Sequence, residues 1–500
     1  MTRQCRQPEI QPQGIWQLRS VRRLGAVGFV LGWVLSASPI TAAQQSPAGK
    51  LQQTTTKQNP ATQAPANNPS SEPGLHISTG SVIGDAADQT QRMLNLIDDL
   101  QFHHLEQMLQ SNADGQSSLQ PAQRHFLRGI LDNRENHPKK SIQELAPLID
   151  AIAASGNVTE EKLARQTLAE DYLRSGQLTQ AAAAYQALDT RMHNRMSQDE
   201  RDDLEQPLKL LPLAVDHPPM TVEAGAPFSL PYELDPLGLS DIPVFVDGVS
   251  HAWMLDPTEP FNLISRSTAR EVGLKLSDQV ATIHTLTGKP MTVHSTVIPR
   301  LTLGNVTFRN MTAFVFNDED FAFPQSDYSV RGVLGFPAVS ALGSLTITSD
   351  ATIEVQPGAV GARVTDGAPF YLDGERVLVA LGKPDGSDDR LYAVDAAGQQ
   401  SYLSSRYFSE HAQDFAGSRL QLLQLTGMED AAPVPAYLAQ SLMLPVGRKH
   451  VMVHDVQVLT QPLGATASDD TYGTLGVDIL QQFASYTFDY RTMRFTVTPH

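Results

Sequence analysis

The sequence is short of the residues that many function classes need. Its 500 residues include one cysteine, Cys5, so a disulfide framework, thiol catalysis and a cysteine-ligated metal site are excluded. Only 37 lysines and arginines stand against 54 aspartates and glutamates, and the formal net charge of −17 disfavours nucleic acid and anionic membrane surfaces as partners. HExxH, GxSxG, phosphate-loop and Rossmann motifs are also missing, so neither a metal nor a cofactor is predicted.

Long apolar runs are scarce as well. The one candidate, "LGAVGFVLGWVLSA", follows Arg22 and Arg23 and falls short of the roughly 20 apolar residues that a membrane span needs. Small residues, "TAA" at 41–43, come after it, which is typical of an export signal. We therefore predict a signal peptide at 1–43 and a periplasmic or secreted mature chain without a membrane span. An uncleaved N-terminal anchor is the alternative.

Large apolar side chains are nearly missing from residues 44–80, which predicts a disordered linker or a removed propeptide. Between 81 and 213, apolar residues recur every three or four positions, which indicates helices. In "LAEDYLRSGQLTQAAAAYQAL" the spacing of Ala169, Gly176 and Tyr185 resembles a tetratricopeptide helix pair, and a generic helical bundle is the alternative. We expect this region to bind a protein partner or the chain's own linker.

The remainder predicts an all-β region of two similar lobes, at 214–360 and 361–500. Asp256 ends "AWMLD" and Asp395 ends "LYAVD". A glycine in the tripeptide Leu-Thr-Gly follows each aspartate by 32 residues, and "GVLGF" or "GTLGV" comes after it. Landmarks that recur in the same order at near-equal spacing indicate a tandem repeat.

Two repeated aspartates suggest one shared site. Like charges a few ångströms apart do not both ionise cheaply, so such a pair holds one proton and titrates as a unit. It then offers an acid and a base together and can activate a water. Asp256 and Asp395 are therefore the predicted catalytic residues. The alternative is that each aspartate only caps a turn.

These lobes resemble the retropepsin-like aspartic proteases. The resemblance rests on the strand-end aspartates, the "NLIS" and "YLSS" segments that follow them, the Leu-Thr-Gly tripeptides and the Leu-Gly turns. It implies a peptide or protein substrate and a monomer in which two lobes of one chain form the site as an intramolecular pseudo-dimer. It also implies substrate-binding flap hairpins around Thr287 and Gly288 and around Thr426 and Gly427. The implied fold class is multidomain α + β, with N-terminal helical hairpins and a C-terminal bilobal β domain.

The turn after each aspartate departs from the family's Asp-Thr/Ser-Gly pattern. Lobe 1 reads Asp256-Pro257-Thr258-Glu259, and lobe 2 reads Asp395-Ala396-Ala397-Gly398. In the family, the missing hydroxyl clamps the two loops together. Two hypotheses follow: a peptidase with a weakened site, or an inactive pseudo-protease that binds peptides or builds an assembly. A non-peptidase β fold is the third. Glu259 adds a third carboxylate nearby. It would raise the pKa of the aspartate pair if it faces the site, but a turn glutamate more often points to water.

Overall fold

The computed structural model describes ten stretches of the chain. They are residues 81–111, 119–236, 240–284, 290–323, 327–358, 361–382, 390–395, 400–423, 433–462 and 469–500. The predicted signal peptide and linker lie outside them. So do Thr287, Gly288, Thr426 and Gly427, the four predicted flap residues.

The described N-terminal part is helical, as predicted. Its α-helices are α1 (Ser81–Asp98), α2 (Phe102–Ser111), α3 (Pro121–Arg134), α4 (Pro138–Leu145), α5 (Ile149–Ser155), α6 (Val158–Arg174), α7 (Leu178–Met192), α8 (Gln198–Asp203) and α9 (Glu205–Leu210). A 3₁₀ turn, Leu211–Ala214, follows α9. The Asn157 side chain caps α6 by accepting a hydrogen bond from the Glu160 N–H, which satisfies one of the free N–H groups of the first turn.

Helices α6 and α7 form the hairpin that the spacing of small residues predicts. Gly176, in the turn between them, has φ of +73°, a conformation that costs glycine little. Ala169 and Ala181 are fully buried, which lets the two helices approach closely. The likeness of this pair to a tetratricopeptide repeat stays a prediction.

Lobe 1 is built mostly of strands. Its elements are β1 (Thr221–Ala224), β2 (Phe228–Pro231), β3 (Glu233–Leu234), β4 (Ser240–Val246), β5 (Val249–Leu255), β6 (Leu263–Ser265), α10 (Arg266–Glu271), β7 (Ala281–His284), β8 (Pro290–Leu303), β9 (Val306–Phe316), β10 (Ala322–Phe323), β11 (Tyr328–Ser329), β12 (Gly332–Leu334), α11 (Phe336–Ala341), β13 (Ser344–Thr348) and β14 (Thr352–Gln356).

Lobe 2 repeats the order of the main elements of lobe 1. Its elements are β15 (Ala368–Asp373), β16 (Arg376–Ala380), β17 (Leu391–Val394), β18 (Tyr402–Leu403), α12 (Ser405–His411), β19 (Gln421–Leu423), β20 (Val434–Val446), β21 (Lys449–Leu459), β22 (Gly473–Leu475), α13 (Val477–Leu480), β23 (Phe483–Asp489) and β24 (Arg494–Pro499). Short 3₁₀ segments also occur, at Ala146–Leu148 and His193–Arg195 in the helical region, at Asp318–Asp320 in lobe 1 and at Ala412–Phe415 in lobe 2.

A six-stranded antiparallel run joins the two lobes in the order β2-β14-β13-β23-β24-β15. Three strands come from each lobe, and the equivalent strands β13 and β23 pair at the centre. There Thr346 lies opposite Thr487, with hydroxyl oxygens 2.7 Å apart. Strands β2, β14 and β13 of lobe 1 correspond to β15, β24 and β23 of lobe 2, so equivalent strands follow one another from each end of the run to its centre. The lobes are therefore related by an approximate two-fold axis. The predicted fold class is confirmed.

The helices pack on both lobes. Phe102 packs against Tyr371 of lobe 2 in a tilted arrangement with ring centroids 5.1 Å apart, and Arg134 forms a buried ion pair with Asp373 at 3.0 Å. Helix α9 and the Leu211–Ala214 turn contact β7 and β8 of lobe 1. Within the described residues, no helix combines the length and the apolar character that crossing a bilayer requires.

Candidate functional site

The two aspartates occupy equivalent positions at strand ends. Strand β5 runs parallel to β12, and the Asp256 N–H donates to the Leu334 carbonyl at 3.0 Å. Strand β17 runs parallel to β22 in the same register, and the Asp395 N–H donates to the Leu475 carbonyl at 2.9 Å. The repeated sequence landmarks therefore reflect a repeated local structure.

A glycine N–H supports the loop after each aspartate. Gly335 donates to the Asn262 side-chain oxygen at 3.1 Å, and Gly476 donates to the Ser401 hydroxyl at 2.7 Å. Asn262 and Ser401 each follow their aspartate by six residues. A Cβ on Gly335 would lie 2.1 Å from the Phe261 carbonyl oxygen, so the close approach requires glycine.

The carboxyl group of Asp256 is held by its own turn. Its Oδ1 accepts hydrogen bonds from the Thr258 N–H at 2.8 Å and the Thr258 hydroxyl at 2.7 Å. Its Oδ2 is buried and has no hydrogen-bond partner among the described residues. The residue is 2 % exposed, and this burial raises its pKa, although the bonds from Thr258 oppose the shift.

Asp395 is 8 % exposed and lies beside Tyr402. Burial raises the pKa of the Tyr402 hydroxyl to about 12, and the Asp395 charge adds to the effect. The three residues that follow Asp395 in the predicted turn, Ala396 to Gly398, lie outside the described residues. The pairing of Asp256 with Asp395 in one site stays a prediction.

The predicted flaps fall on strand hairpins. Strands β7 and β8 pair antiparallel, and residues 285–289 connect them. Strands β19 and β20 pair in the same way, and their connection contains Thr426 and Gly427. The strands on either side of each predicted flap therefore pair as a hairpin requires, while the flap role of the four residues stays a prediction.

Of the two orientations considered for Glu259, the more common one, toward water, is wrong, and the side chain points inward. The residue is fully buried, and its Oε2 has no hydrogen-bond partner among the described residues. Burial raises the pKa of this carboxyl well above its usual range, and the neighbouring Asp256 raises it further. The main chain explains the inward placement, because the Glu259 carbonyl accepts a 2.7 Å bond from the Phe336 N–H of the "GVLGF" turn.

Residues 242–338 match the family model described as aspartyl protease. This part of the chain is thus similar to an aspartyl protease. The match spans β4 to α11, which includes Asp256, Glu259 and Gly335, and the retropepsin-like resemblance is confirmed.

One solved structure is also similar to part of the chain. It is a retropepsin-like aspartic protease from Rickettsia conorii, with 19% sequence identity, and the match covers 26% of this chain and 99% of that one. The TM-score is 0.20. A search among curated proteins gives no match.

The front face of lobe 1 is covered by the chain's own helices. We define this face by Leu263, Ile283, Met291, Val293 and Phe316, all fully buried or nearly so. They share one hydrophobic cluster with residues of α7, α9 and the turn after α9, among them Leu188, Leu210, Leu211 and Ala214. A polar contact fixes the arrangement, since the Ser295 hydroxyl donates to the Leu213 carbonyl at 2.6 Å.

Lobe 2 has a corresponding front face, formed by Tyr402, Leu423, Val434, Ala436 and Leu459. Strand register establishes the correspondence: Ile283 pairs with Met291 as Leu423 pairs with Val434. These five residues make a small cluster that, within the described residues, contains only side chains of lobe 2. Tyr402, Leu423 and Val434 are half-buried.

Glu375 is a further site residue that sequence reasoning missed. It lies in the β15–β16 turn of lobe 2, yet its pKa is raised, first by burial and then by Glu259 of lobe 1. Asp203, Glu170 and Asp256 also raise it. No local signal in the sequence identifies it, because its neighbours come from three distant parts of the chain.

Among the described residues, one group of side chains is compact enough to hold a metal ion: Asp132, Glu135 and His137. Arg128 already donates to Asp132 at 2.8 Å and to Glu135 at 3.1 Å. The two carboxylates raise the pKa of His137 to about 9, which favours a protonated ring as a second cation beside Arg128. This group is an ion-pair network.

Proposed function

We propose that the chain is an exported, aspartic-protease-like scaffold that binds peptide segments without cleaving them. The observation that carries this proposal is the burial of the front face of lobe 1. Helices α7 and α9 cover the strands around Asp256, and this carboxyl is 2 % exposed. A peptide bond does not reach it while the helices stay in place.

The local chemistry around Asp256 supports the same proposal. Pro257 has no N–H to donate, and the Thr258 hydroxyl is used by the Asp256 carboxyl of the same turn. Glu259 adds a buried carboxyl beside the aspartate. These features replace the Thr/Ser and Gly of the family motif, which serve the family's catalytic pair.

The front face of lobe 2 is the proposed peptide-binding surface. Its half-buried Tyr402, Leu423 and Val434 offer apolar contacts on strands, where main-chain groups of an added peptide pair readily. The helical region is proposed to dock a protein partner as well, through surfaces that the lobes leave open.

Peptide-bond hydrolysis by Asp256 and Asp395 is the second candidate, and one observation favours it. The Asp256 Oδ1 is fixed by Thr258, while Oδ2 has no hydrogen-bond partner among the described residues. A carboxyl in this state can hold an attacking water. This mechanism requires the helices to leave the front face of lobe 1.

Peptide cleavage and peptide binding by the purified mature protein separate the two candidates. A diverse peptide library is tested from about pH 3 to 7 with wild type, Asp256→Asn and Asp395→Asn, and with Asp247→Asn, an exposed turn aspartate, as control. The scaffold predicts no cleavage and equal binding by all four proteins. Cleavage by wild type and the control, but by neither catalytic variant, would establish the peptidase instead.

Export is tested separately. The proposed signal peptide predicts that protein isolated from the periplasm or the medium begins near residue 44. Intact mass and N-terminal sequencing measure this directly. Cell-associated protein that retains residues 1–43 would contradict export with cleavage.

A further inference from the structure

A pocket lies where the helical region meets both lobes. Its cavity has a volume of about 80 Å³, room for roughly five waters. Helices α6 to α9 form one wall, and the segment after Asp256 forms another through Pro257 and Thr258. Lobe 2 closes it with Leu372 and the turn that carries Glu375. We call it the junction pocket.

The lining of the junction pocket combines apolar surface with carboxylates. Leu173, Tyr185, Leu204 and Phe336 supply the apolar surface, and Glu170, Asp203 and Glu375 supply the acidic groups. One cation, Arg174, also lines the pocket. Its guanidinium is already engaged, since it donates to the carbonyls of Asn133 and Gly374 at 3.0 and 2.6 Å and lies 3.6 Å from Glu170.

Glu170 and Glu375 differ in their partners. Glu170 has Arg134 at 3.4 Å and Arg174 at 3.6 Å, so its charge is compensated. The Glu375 Oε2 is enclosed and has no hydrogen-bond partner among the described residues. An enclosed carboxylate oxygen without a partner costs free energy that a bound donor would recover.

Acidic side chains make the electrostatic potential negative at two separate points of the pocket, at Glu375 and at the Tyr185 hydroxyl. Glu259, Asp203, Glu170 and Asp256 all raise the pKa of Glu375, in addition to its burial. Burial raises the pKa of the Tyr185 hydroxyl, and Glu170 and Glu375 raise it further. A cation in the pocket would therefore be stabilised from several directions, and the Tyr185 ring offers an aromatic face for it.

We propose that the junction pocket binds the protonated amine of a small alkylammonium group. The geometry favours an organic cation over a metal ion. A metal needs oxygen ligands about 2.0–2.6 Å away, hence close together. Among the described residues, the acidic groups of this pocket do not form such a compact set, whereas an ammonium reaches separate acceptors through three N–H donors. The apolar walls fit its alkyl chain.

Isothermal titration of the full-length protein with n-butylammonium at neutral pH tests the proposal. n-Butanol, of similar shape but uncharged, is the matched ligand control. We expect saturable binding of the amine, and affinity for the alcohol at least tenfold weaker. Equal affinity for both ligands, or no saturable binding of the amine, would overturn the proposal.

Two isosteric variants locate the site. Glu375→Gln removes the carboxyl group that would ionise against a bound ammonium and is expected to weaken amine binding at least tenfold, and Asp203→Asn is expected to weaken it less. Glu354→Gln, on an exposed position of β14, is the control and is expected to bind like wild type. Unchanged affinity in Glu375→Gln, or Glu375-dependent binding of calcium chloride with equal affinity, would refute an amine site.

A last titration distinguishes the source of the amine. N-acetyl-lysine methylamide carries the same ammonium on a peptide backbone. Affinity at least equal to that of butylammonium would support a lysine side chain of a peptide as ligand, and affinity at least tenfold weaker would support a free small amine. Each outcome assigns the source of the amine, whereas the alcohol control and the Glu375→Gln variant test the ammonium chemistry itself.

Discussion

The two lobes share a backbone and differ in what covers them. In both lobes the aspartate N–H bonds to the partner strand, and a glycine N–H bonds to the side chain six residues after the aspartate. The front face of lobe 1 is nevertheless part of a core shared with the helices, whereas that of lobe 2 remains a small cluster of its own. Equivalent folds therefore do not imply equivalent access to the site.

The largest expected difference between the lobes concerns these front faces. Ile283→Ala removes a fully buried side chain and should lower the free energy of unfolding by about 2–5 kcal/mol, since it leaves a cavity. Leu423→Ala, at the equivalent half-buried position, should cost about 1 kcal/mol. Urea denaturation followed by circular dichroism measures both.

Thr282→Ala, on the exposed side of the same strand as Ile283, is the control and should change stability little. Equal losses for Ile283→Ala and Leu423→Ala would mean that the helices do not cover lobe 1 in solution. The basis for an inaccessible Asp256 would then be lost.

The second difference is Glu259, for which lobe 2 has Gly398. Because the pKa of Glu259 is raised in the folded state, the unfolded state ionises first as pH rises, so this residue destabilises the fold above its ordinary pKa of 4.5. Glu259→Gln should therefore raise the free energy of unfolding at neutral pH, by about 1–3 kcal/mol.

The gain from Glu259→Gln should disappear below pH 4.5, where this carboxyl is protonated in both states. Unfolding midpoints measured across that pH range give the answer. Exposed Glu354→Gln should show no such dependence. A variant that is less stable than wild type at neutral pH would indicate that Glu259 has an ionic partner in solution.

Sequence reasoning succeeds where the structure is local. The strand ends at Asp256 and Asp395 and the Leu-Gly turns are encoded by short segments, and these segments make equivalent backbone hydrogen bonds in both lobes. The helix pair with Gly176 in its turn is local in the same sense. Such features follow from periodicity and turn chemistry alone.

The same reasoning fails where distant segments meet. The inward orientation of Glu259 depends on Phe336, and the raised pKa of Glu375 depends on groups from the helices and from lobe 1. The covering of Ile283 by Leu210 and Leu211 is tertiary as well. An amphipathic helix reveals that it buries a face, but it does not reveal the surface against which that face packs.

The third test concerns a feature that both lobes share. Asn262→Ala and Ser401→Ala each remove the acceptor of a buried glycine N–H, at Gly335 and Gly476. An unsatisfied buried donor costs about 1–3 kcal/mol, so both variants should lose stability by similar amounts. A loss in one variant alone, in the same urea denaturation, would contradict the equivalence of the two loops.

The smallest expected effect comes from making the turn of lobe 1 resemble that of lobe 2. Thr258→Ala keeps the N–H that bonds to Asp256 Oδ1 but removes the hydroxyl that also bonds to it. The lost bond should cost about 0.5–1.5 kcal/mol at neutral pH.

Thr258→Ala should also raise the pKa of Asp256 further, because the hydroxyl stabilises the charged form of this carboxyl. Because this loss arises from the charged form of Asp256, it should fade as pH falls through the raised pKa of this carboxyl in the folded state, and it should be largely gone at pH 3.8, the ordinary pKa of an aspartate. Urea midpoints at neutral and acidic pH measure this, and Thr258→Ser should restore the wild-type profile. A loss that is the same at both pH values, or that Thr258→Ser fails to restore, would show that Thr258 acts through packing of its methyl group. The Asp256 carboxyl would then depend on the backbone N–H alone for its orientation.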